Sequence, residues 1–313
     1  MSNTSSQNNS STCAHCDKVE EAGSNLKSCA ACKLVKYCSR ECQIAHRPQH
    51  KKACKKKAAE LHDEKIFKQP PPLEDCPICL IRLPTMELGR SYMTCCGKMI
   101  CCGCMHAFQS RAVKKEDEIC PFCRALPPYL VDEAIARIKK RVELNDARAI
   151  YSLGIYYAEG QYGLPQNMAK ALELWHRAGE LGNFGSAEAY ANIAHAYKNG
   201  FNVERNMKKA KHYWELSAME GDGNAGARRN LGVHEGTSGN FDRALRHFMI
   251  AVRDGDSDSL EIIKRYSLNG YATKDDYANA LRDYQAYVDE IKSDQRDEAA
   301  AFREDYKYYE SAI

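Results

Sequence analysis

Leu153-Gly154-x2-Tyr157-x2-Gly160, a loop through Gly163 and Pro165, then Lys170-Ala171-x3-Trp175-x2-Ala178 and a closing Gly182 form a unit that recurs along the chain. Ala171, Ala210, Ala244 and Ala280 stand 39, 34 and 36 residues apart, and four residues after each comes an aromatic: Trp175, Trp214, Phe248 and Tyr284. Leu153, Ile193, Leu231 and Ile263 mark a first helix in each unit, while Gly182, Gly221 and Gly255 end the second helices. Small Ala and Gly let antiparallel helices approach closely, and the aromatics fill gaps between neighbouring pairs. The aromatic stripe therefore reads as core rather than as a ligand box. The third unit is abbreviated, with Gly236 to Gly239 replacing the loop, and the fourth lacks the leading Leu-Gly.

Outward from the repeat, Ile135, Ile138 and Val142 give helical periodicity over 131–142. At the other end, 297–309 is charged and carries several tyrosines, which predicts a solvated capping helix. A mainly α chain follows, an α-solenoid of helix pairs over 131–290 with a capping helix over 291–313. The repeats offer no nucleophile, general base or phosphate loop. A stack of this kind presents a concave face to a protein partner.

Composition divides the chain of 313 residues differently. All 16 cysteines lie between Cys13 and Cys123. The first twelve residues are polar and predict a disordered tail over 1–12, with no apolar signal segment. No run of 18 apolar residues is present, which argues against a membrane span. A reduced intracellular protein, cytoplasmic or nuclear, is the expectation, and there crowded cysteines bind metal. A net charge of +3 is too small to imply nucleic acid.

The cysteines fall into two groups. Residues 13–54 read Cys13-x2-Cys16-x12-Cys29-x2-Cys32-x5-Cys38-x3-Cys42-x7-His50-x3-Cys54, and His46 precedes His50 by four. Residues 76–124 open Cys76-Pro77-Ile78-Cys79, continue through Cys95-Cys96-Gly97-Lys98 and Cys101-Cys102-Gly103-Cys104, and close Cys120-Pro121-Phe122-Cys123-Arg124. A Cys-x2-Cys pair holds two corners of a tetrahedral Zn²⁺ site on one tight turn, so each group has ligands for two zincs, four in all. Between them, Lys51, Lys52, Lys55, Lys56 and Lys57 form a basic run with no interleaved aromatics. It reads as a solvated helix face rather than a nucleic-acid site. With Pro70-Pro71-Pro72 as a stiff spacer, 55–75 is expected to be a basic helix and linker.

The repeats over about 145–290 resemble Sel1-like repeats, relatives of tetratricopeptide repeats with a longer glycine-bearing loop. Residues 13–54 resemble a MYND finger, including Tyr37 before Cys38 and Gln43 after Cys42. That resemblance implies Cys13, Cys16, Cys38 and Cys42 on one zinc and Cys29, Cys32, His50 and Cys54 on the other. MYND fingers bind proline-rich peptides between a glutamine and a tryptophan. Gln43 is present, but Arg47 stands in the tryptophan's place and removes the apolar platform for a polyproline ligand.

Residues 76–124 resemble a RING finger in its all-cysteine form, which implies cross-braced sites of Cys76, Cys79, Cys101, Cys104 and of Cys95, Cys96, Cys120, Cys123. Lys98 stands where the commoner RING pattern has histidine, so Cys96 takes that ligand's place beside Cys95, with Cys102 and His106 as alternatives. Ile78, Pro121 and Phe122 match positions by which RINGs grip an E2 conjugating enzyme, and Arg124 matches the basic residue that closes ubiquitin onto it. Four thiolates leave no open position for water, so the zinc is structural. Two function classes follow: a RING-type E3 ubiquitin ligase whose repeats select substrate, with E2 and ubiquitin as partners, or a non-catalytic adaptor binding protein partners.

Overall fold

The computed structural model describes residues 12–20, 26–111, 118–182, 185–220 and 223–310. The expected tail, apart from Thr12, and the helix-ending Gly221 lie outside them. Two compact units divide the chain, Met1–Lys68 and Gln69–Ile313.

In the first unit a two-stranded antiparallel ladder, β1 (Lys27–Ser28) and β2 (Lys36–Tyr37), pairs Lys27 with Tyr37 and Ser28 with Lys36. It precedes α1 (Arg40–Ile66), whose N-terminus is capped by Ser39 Oγ accepting from the Cys42 amide. Cys13, Leu26, Cys29, Cys32 and Tyr37 make a core too small to hold a fold by burial alone. The basic run does not begin a helix of its own at 55. It continues α1, which runs unbroken from Arg40 past Pro48.

The second unit starts with the proline stretch, which is not a free spacer here. Leu73 is buried, Gln69 Nε2 donates to Asp254 Oδ2 at 3.3 Å, and Pro70 lies against Gly223. β3 (Arg90–Met93) and β4 (Lys98–Cys101) then form an antiparallel hairpin, with Arg90 opposite Cys101, and α2 (Cys102–Arg111) follows. After α3 (Val131–Glu143), which buries Ile135 and Ile138, come the helix pairs α4 (Ala147–Glu159) with α5 (Met168–Glu180), α6 (Ser186–Asn199) with α7 (Met207–Met219), α8 (Ala225–Thr237) with α9 (Phe241–Arg253), and α10 (Ser257–Leu268) with α11 (Lys274–Ile291). α12 (Asp294–Phe302) is the last α-helix among the described residues, and a 3-10 turn at Glu304–Tyr306 follows it.

The pairs are locked by the residues that the period singles out. A Cβ at Gly154 would fall 2.4 Å from Trp175 Nε1, and one at Gly232 would fall 2.5 Å from the Phe248 ring, so glycine is what lets each aromatic seat against the preceding helix. Trp175 Nε1 donates to Tyr151 O at 3.3 Å, which satisfies the indole in the core. Asn167 and Asn206 cap α5 and α7 in the same way, accepting from the amides of Lys170 and Lys209.

One expectation fails at the C-terminus. The charged segment after 291 is not a solvated cap: Arg296, Ala299, Tyr306 and Tyr308 are buried. α12 packs on α2 of the cysteine-rich module, and Tyr306 Oη donates to Gln109 Oε1 at 2.7 Å. Tyr306 and Tyr308, which follow α12, are covered because the module's Cys102 and Met105 join the same core.

Candidate metal centres

Four Cys-x2-Cys turns share one local geometry. The residue after each second cysteine has a left-handed backbone: Asp17 (φ 55°), Lys33 (φ 59°), Leu80 (φ 57°) and Arg124 (φ 58°). Its amide donates to the carbonyl of the first cysteine, at 3.0, 3.0, 2.8 and 2.9 Å respectively. None of the four is glycine, so each turn holds a conformation that L side chains disfavour. A metal gripping both sulfurs supplies the interaction that offsets it.

These turns meet second ligand pairs of different origin. In the first unit Cys38 directly follows β2 and Cys42 sits in the first turn of α1, while His50 and Cys54 are one turn apart on the same helix. In the second unit Cys95 and Cys96 lie in the β3–β4 turn, Cys101 ends β4, and Cys104 lies in the first turn of α2. The ligand atoms gather into four sets, each with all atoms within 4.8 Å of one another: Cys13, Cys16, Cys38, Cys42; Cys29, Cys32, His50, Cys54; Cys76, Cys79, Cys101, Cys104; and Cys95, Cys96, Cys120, Cys123. Both modules are thus interleaved.

The spacing fits zinc. Sulfurs about 2.3 Å from a tetrahedral ion lie roughly 3.8 Å apart. Cys29 and Cys54 are 3.7 Å apart, Cys79 and Cys101 3.8 Å, and Cys96 and Cys120 3.7 Å. Cys32 Sγ and His50 Nε2 are 3.2 Å apart. Each of the four clusters can hold one Zn²⁺, with a closed set of ligands that suits a structural rather than a water-activating ion.

Three competing ligands are placed elsewhere. His46 Nδ1 lies 3.1 Å from Tyr37 Oη, and its ring stacks on His50. His106 packs against Phe302 with ring centroids 4.8 Å apart. Cys102 is 0% exposed and sits in the core with Phe248, Ile291 and Tyr308; burial, then the neighbouring Cys101 thiolate, pushes its thiol up to about 12. It is a packing residue.

Sequence reasoning missed Arg296. From α12 its Nη1 donates to Arg82 O at 2.8 Å and Ile291 O at 2.6 Å, and its Nη2 to Ile81 O at 3.2 Å and Cys79 Sγ at 3.8 Å. A Zn²⁺ with four thiolates carries two net negative charges, so a buried guanidinium beside a sulfur compensates charge that water cannot reach. Other ties join this module to the repeats. Thr85 Oγ1 donates to Asp254 O at 2.7 Å, Thr85 N donates to Tyr287 Oη at 3.0 Å, Tyr92 Oη donates to Asp146 Oδ2 at 2.6 Å, and Arg90 pairs with Glu188 at 2.9 Å.

Ile78 is 44% exposed and, with Pro121, lines a groove of about 310 Å³ floored by Ala107 and Phe108 of α2. Phe122 and Arg124 are exposed on the neighbouring turn, outside the groove lining. Phe108 and Arg111, which also face the groove, lie one and two helical turns beyond Cys104 and are legible once that cysteine is put on a helix.

Among known proteins, residues 13–54 match the MYND finger family, and residues 147–183 and 187–222 match the Sel1 repeat family. The zinc finger MYND domain-containing protein 10 homolog of Drosophila melanogaster is 49% identical over 45 residues, 14% of this chain and 9% of that protein's length. A Sel1 repeat protein from Oxalobacter formigenes is 25% identical, with a TM-score of 0.44, over 50% of this chain and 64% of that one. A protective antigen of uropathogenic Escherichia coli displaying an SLR fold is 21% identical, with a TM-score of 0.41, over 54% and 36%. The chain therefore carries a MYND finger at 13–54 and Sel1 repeats at 147–183 and 187–222.

Proposed function

We propose that this zinc-binding, protein-interaction chain is a RING-type E3 ubiquitin ligase, acting in a reducing intracellular compartment, in which the Sel1 repeats select the substrate. The observation that carries the reading is the groove beside the second module: Ile78 and Pro121, brought from opposite ends of residues 76–124, face it together with Phe108. An E2 enzyme is the partner that such an apolar cleft between two zinc turns suits.

No residue of this module needs to act as nucleophile or base. Its contribution is to hold the E2 so that the thioester-linked ubiquitin stays in a reactive pose, the positional form of catalysis. Zinc, when bound, fixes the two turns that present Ile78 and Pro121. Arg124 follows the last ligand on a backbone fixed by the Cys120 carbonyl, so its guanidinium starts from a set position toward E2 and ubiquitin. The fusion of the module to the repeats through Arg296, Thr85 and Arg90 holds a substrate on the repeats at a constant distance from that E2.

Incubating the purified chain with ubiquitin, activating enzyme and a broad panel of E2 enzymes tests this directly. Chain-dependent ubiquitin transfer is expected with at least one E2. Thioester discharge no faster than the E2 alone across the panel would leave the adaptor reading.

A further inference from the structure

A groove of about 600 Å³ runs along α1 in the first unit. Four cations line it, Arg40, Arg47, Lys51 and Lys55, and all four are exposed. Their spacing of seven, four and four residues sets them on one face of the helix. Among the described residues no carboxylate lines the groove, and none of the four takes part in an ion pair. Lys57, on a different face, does pair, with Glu60 at 3.2 Å. Arg47, Lys51 and Lys55 are successive i, i+4 neighbours of like charge, an arrangement that works against the helix unless an anion lies over it.

The groove is not purely electrostatic. Ile44 is 62% exposed within it, beside Ala30 and Ala31. Its aromatic residue, Tyr37, is buried and offers no ring face to solvent. A proline helix therefore finds no stacking platform, and neither does a nucleic-acid base. What remains is a cationic stripe with one apolar foothold.

We propose that this groove binds an acidic linear peptide, with an apolar side chain among its carboxylates set against Ile44. The proposal goes beyond the ligase reading and is independent of it, since it concerns a surface of the first unit alone.

The test is fluorescence anisotropy of the full zinc-loaded chain with a fluorescein-labelled decapeptide of Asp and Glu carrying one central Leu. Replacing the carboxylates by amides is expected to weaken binding about tenfold or more, and raising salt weakens it progressively, as exposed charge pairing requires. Arg47→Glu with Lys51→Glu loses binding, while Lys52→Glu with Lys56→Glu, the same charge change outside the groove lining, retains it. Zinc content of each variant shows that the module is intact, and Lys55→Ala, a milder change, gives a few-fold loss by the same reasoning. Equal binding of the amide peptide, or equal loss in both double variants, overturns the proposal. So does a uridine 20-mer that binds more tightly than the peptide and is lost with Arg47→Glu and Lys51→Glu.

Discussion

Arg296 Nη2 lies 3.8 Å from Cys79 Sγ, although 217 positions separate the two residues in sequence. The contact joins the last helix to the first turn of the second cysteine module, and Arg296 is 0% exposed. Removing one partner of a buried charge contact leaves the other desolvated and unpaired, which costs about 3–5 kcal/mol. Arg296→Met keeps much of the side-chain volume and removes the charge. It is expected to lower the melting temperature and to release one of four zincs sooner to a chelator, while Arg296→Lys, lacking the planar fork, restores only part of the loss. Unchanged release kinetics in Arg296→Met would separate the arginine from the metal.

Chelation should therefore reach the helices. From sequence alone, 131–313 is a stack that owes nothing to zinc. In the structure Arg296, Thr85, Tyr92 and Arg90 bond across to the second module, and Cys102 lies in the core around Phe248. Helical circular dichroism is expected to persist on chelation at low temperature, since the repeats pack on their neighbours, but its melting midpoint should fall by several degrees, the shift expected for a loss of about 1–2 kcal/mol or more. A midpoint unmoved by complete zinc removal would contradict this coupling.

Four zincs per chain are expected by elemental analysis, and single variants assign the ambiguous ligands. Cys96→Ser should reduce the count by one, whereas Cys102→Ala and His106→Ala should leave four. Cys102→Ala should still destabilise the fold by about 1–2 kcal/mol through lost core packing. The ligand types were legible in sequence because Cys-x2-Cys spacing is a local constraint, whereas the pairing of turns was an expectation drawn from the resemblance to MYND and RING fingers. The choice among Cys96, Cys102 and His106 was not, since it depends on β4 ending at Cys101 and the chain then turning into α2, which sends Cys102 into the repeat core. Arg296 was illegible for a related reason: in a charged segment it reads as one more solvated residue, and only the tertiary contact distinguishes it.

The repeat was the most legible part, because its signal is steric. Trp175→Ala should cost about 3–5 kcal/mol, the usual loss for a buried large aromatic. Gly154→Ala gives an independent check: the added methyl would meet Trp175 Nε1 at 2.4 Å, so the ring must move or the helices must part. A loss of about 1–3 kcal/mol is expected from overpacking. If urea unfolding shows Gly154→Ala to be neutral in the wild-type background, Trp175 is not seated as described. If the glycine matters only because of the ring, its cost should shrink when both changes are combined.

Ile78 and Arg124 provide the sharpest division between ligase and adaptor, because the two should fail differently. Ile78 is an exposed apolar residue on the lip of the groove, so Ile78→Ala should weaken E2 binding itself, by about 1–3 kcal/mol if it is an anchor. Arg124 stands outside that lining on a fixed backbone, and its role in the proposal is to hydrogen-bond E2 and ubiquitin together through a planar, permanently charged group. Arg124→Ala should thus slow discharge of the E2–ubiquitin thioester while leaving E2 binding and zinc content nearly unchanged. Arg124→Lys should rescue little, since a single ammonium cannot reproduce the fork. The measurement is paired: E2 affinity by titration and thioester discharge by gel, on the same preparations. An Arg124→Ala protein that discharges ubiquitin at the wild-type rate, with Ile78→Ala still binding E2 normally, would mean that neither residue faces an E2, and the second module would then be a structural zinc element bracing the repeats.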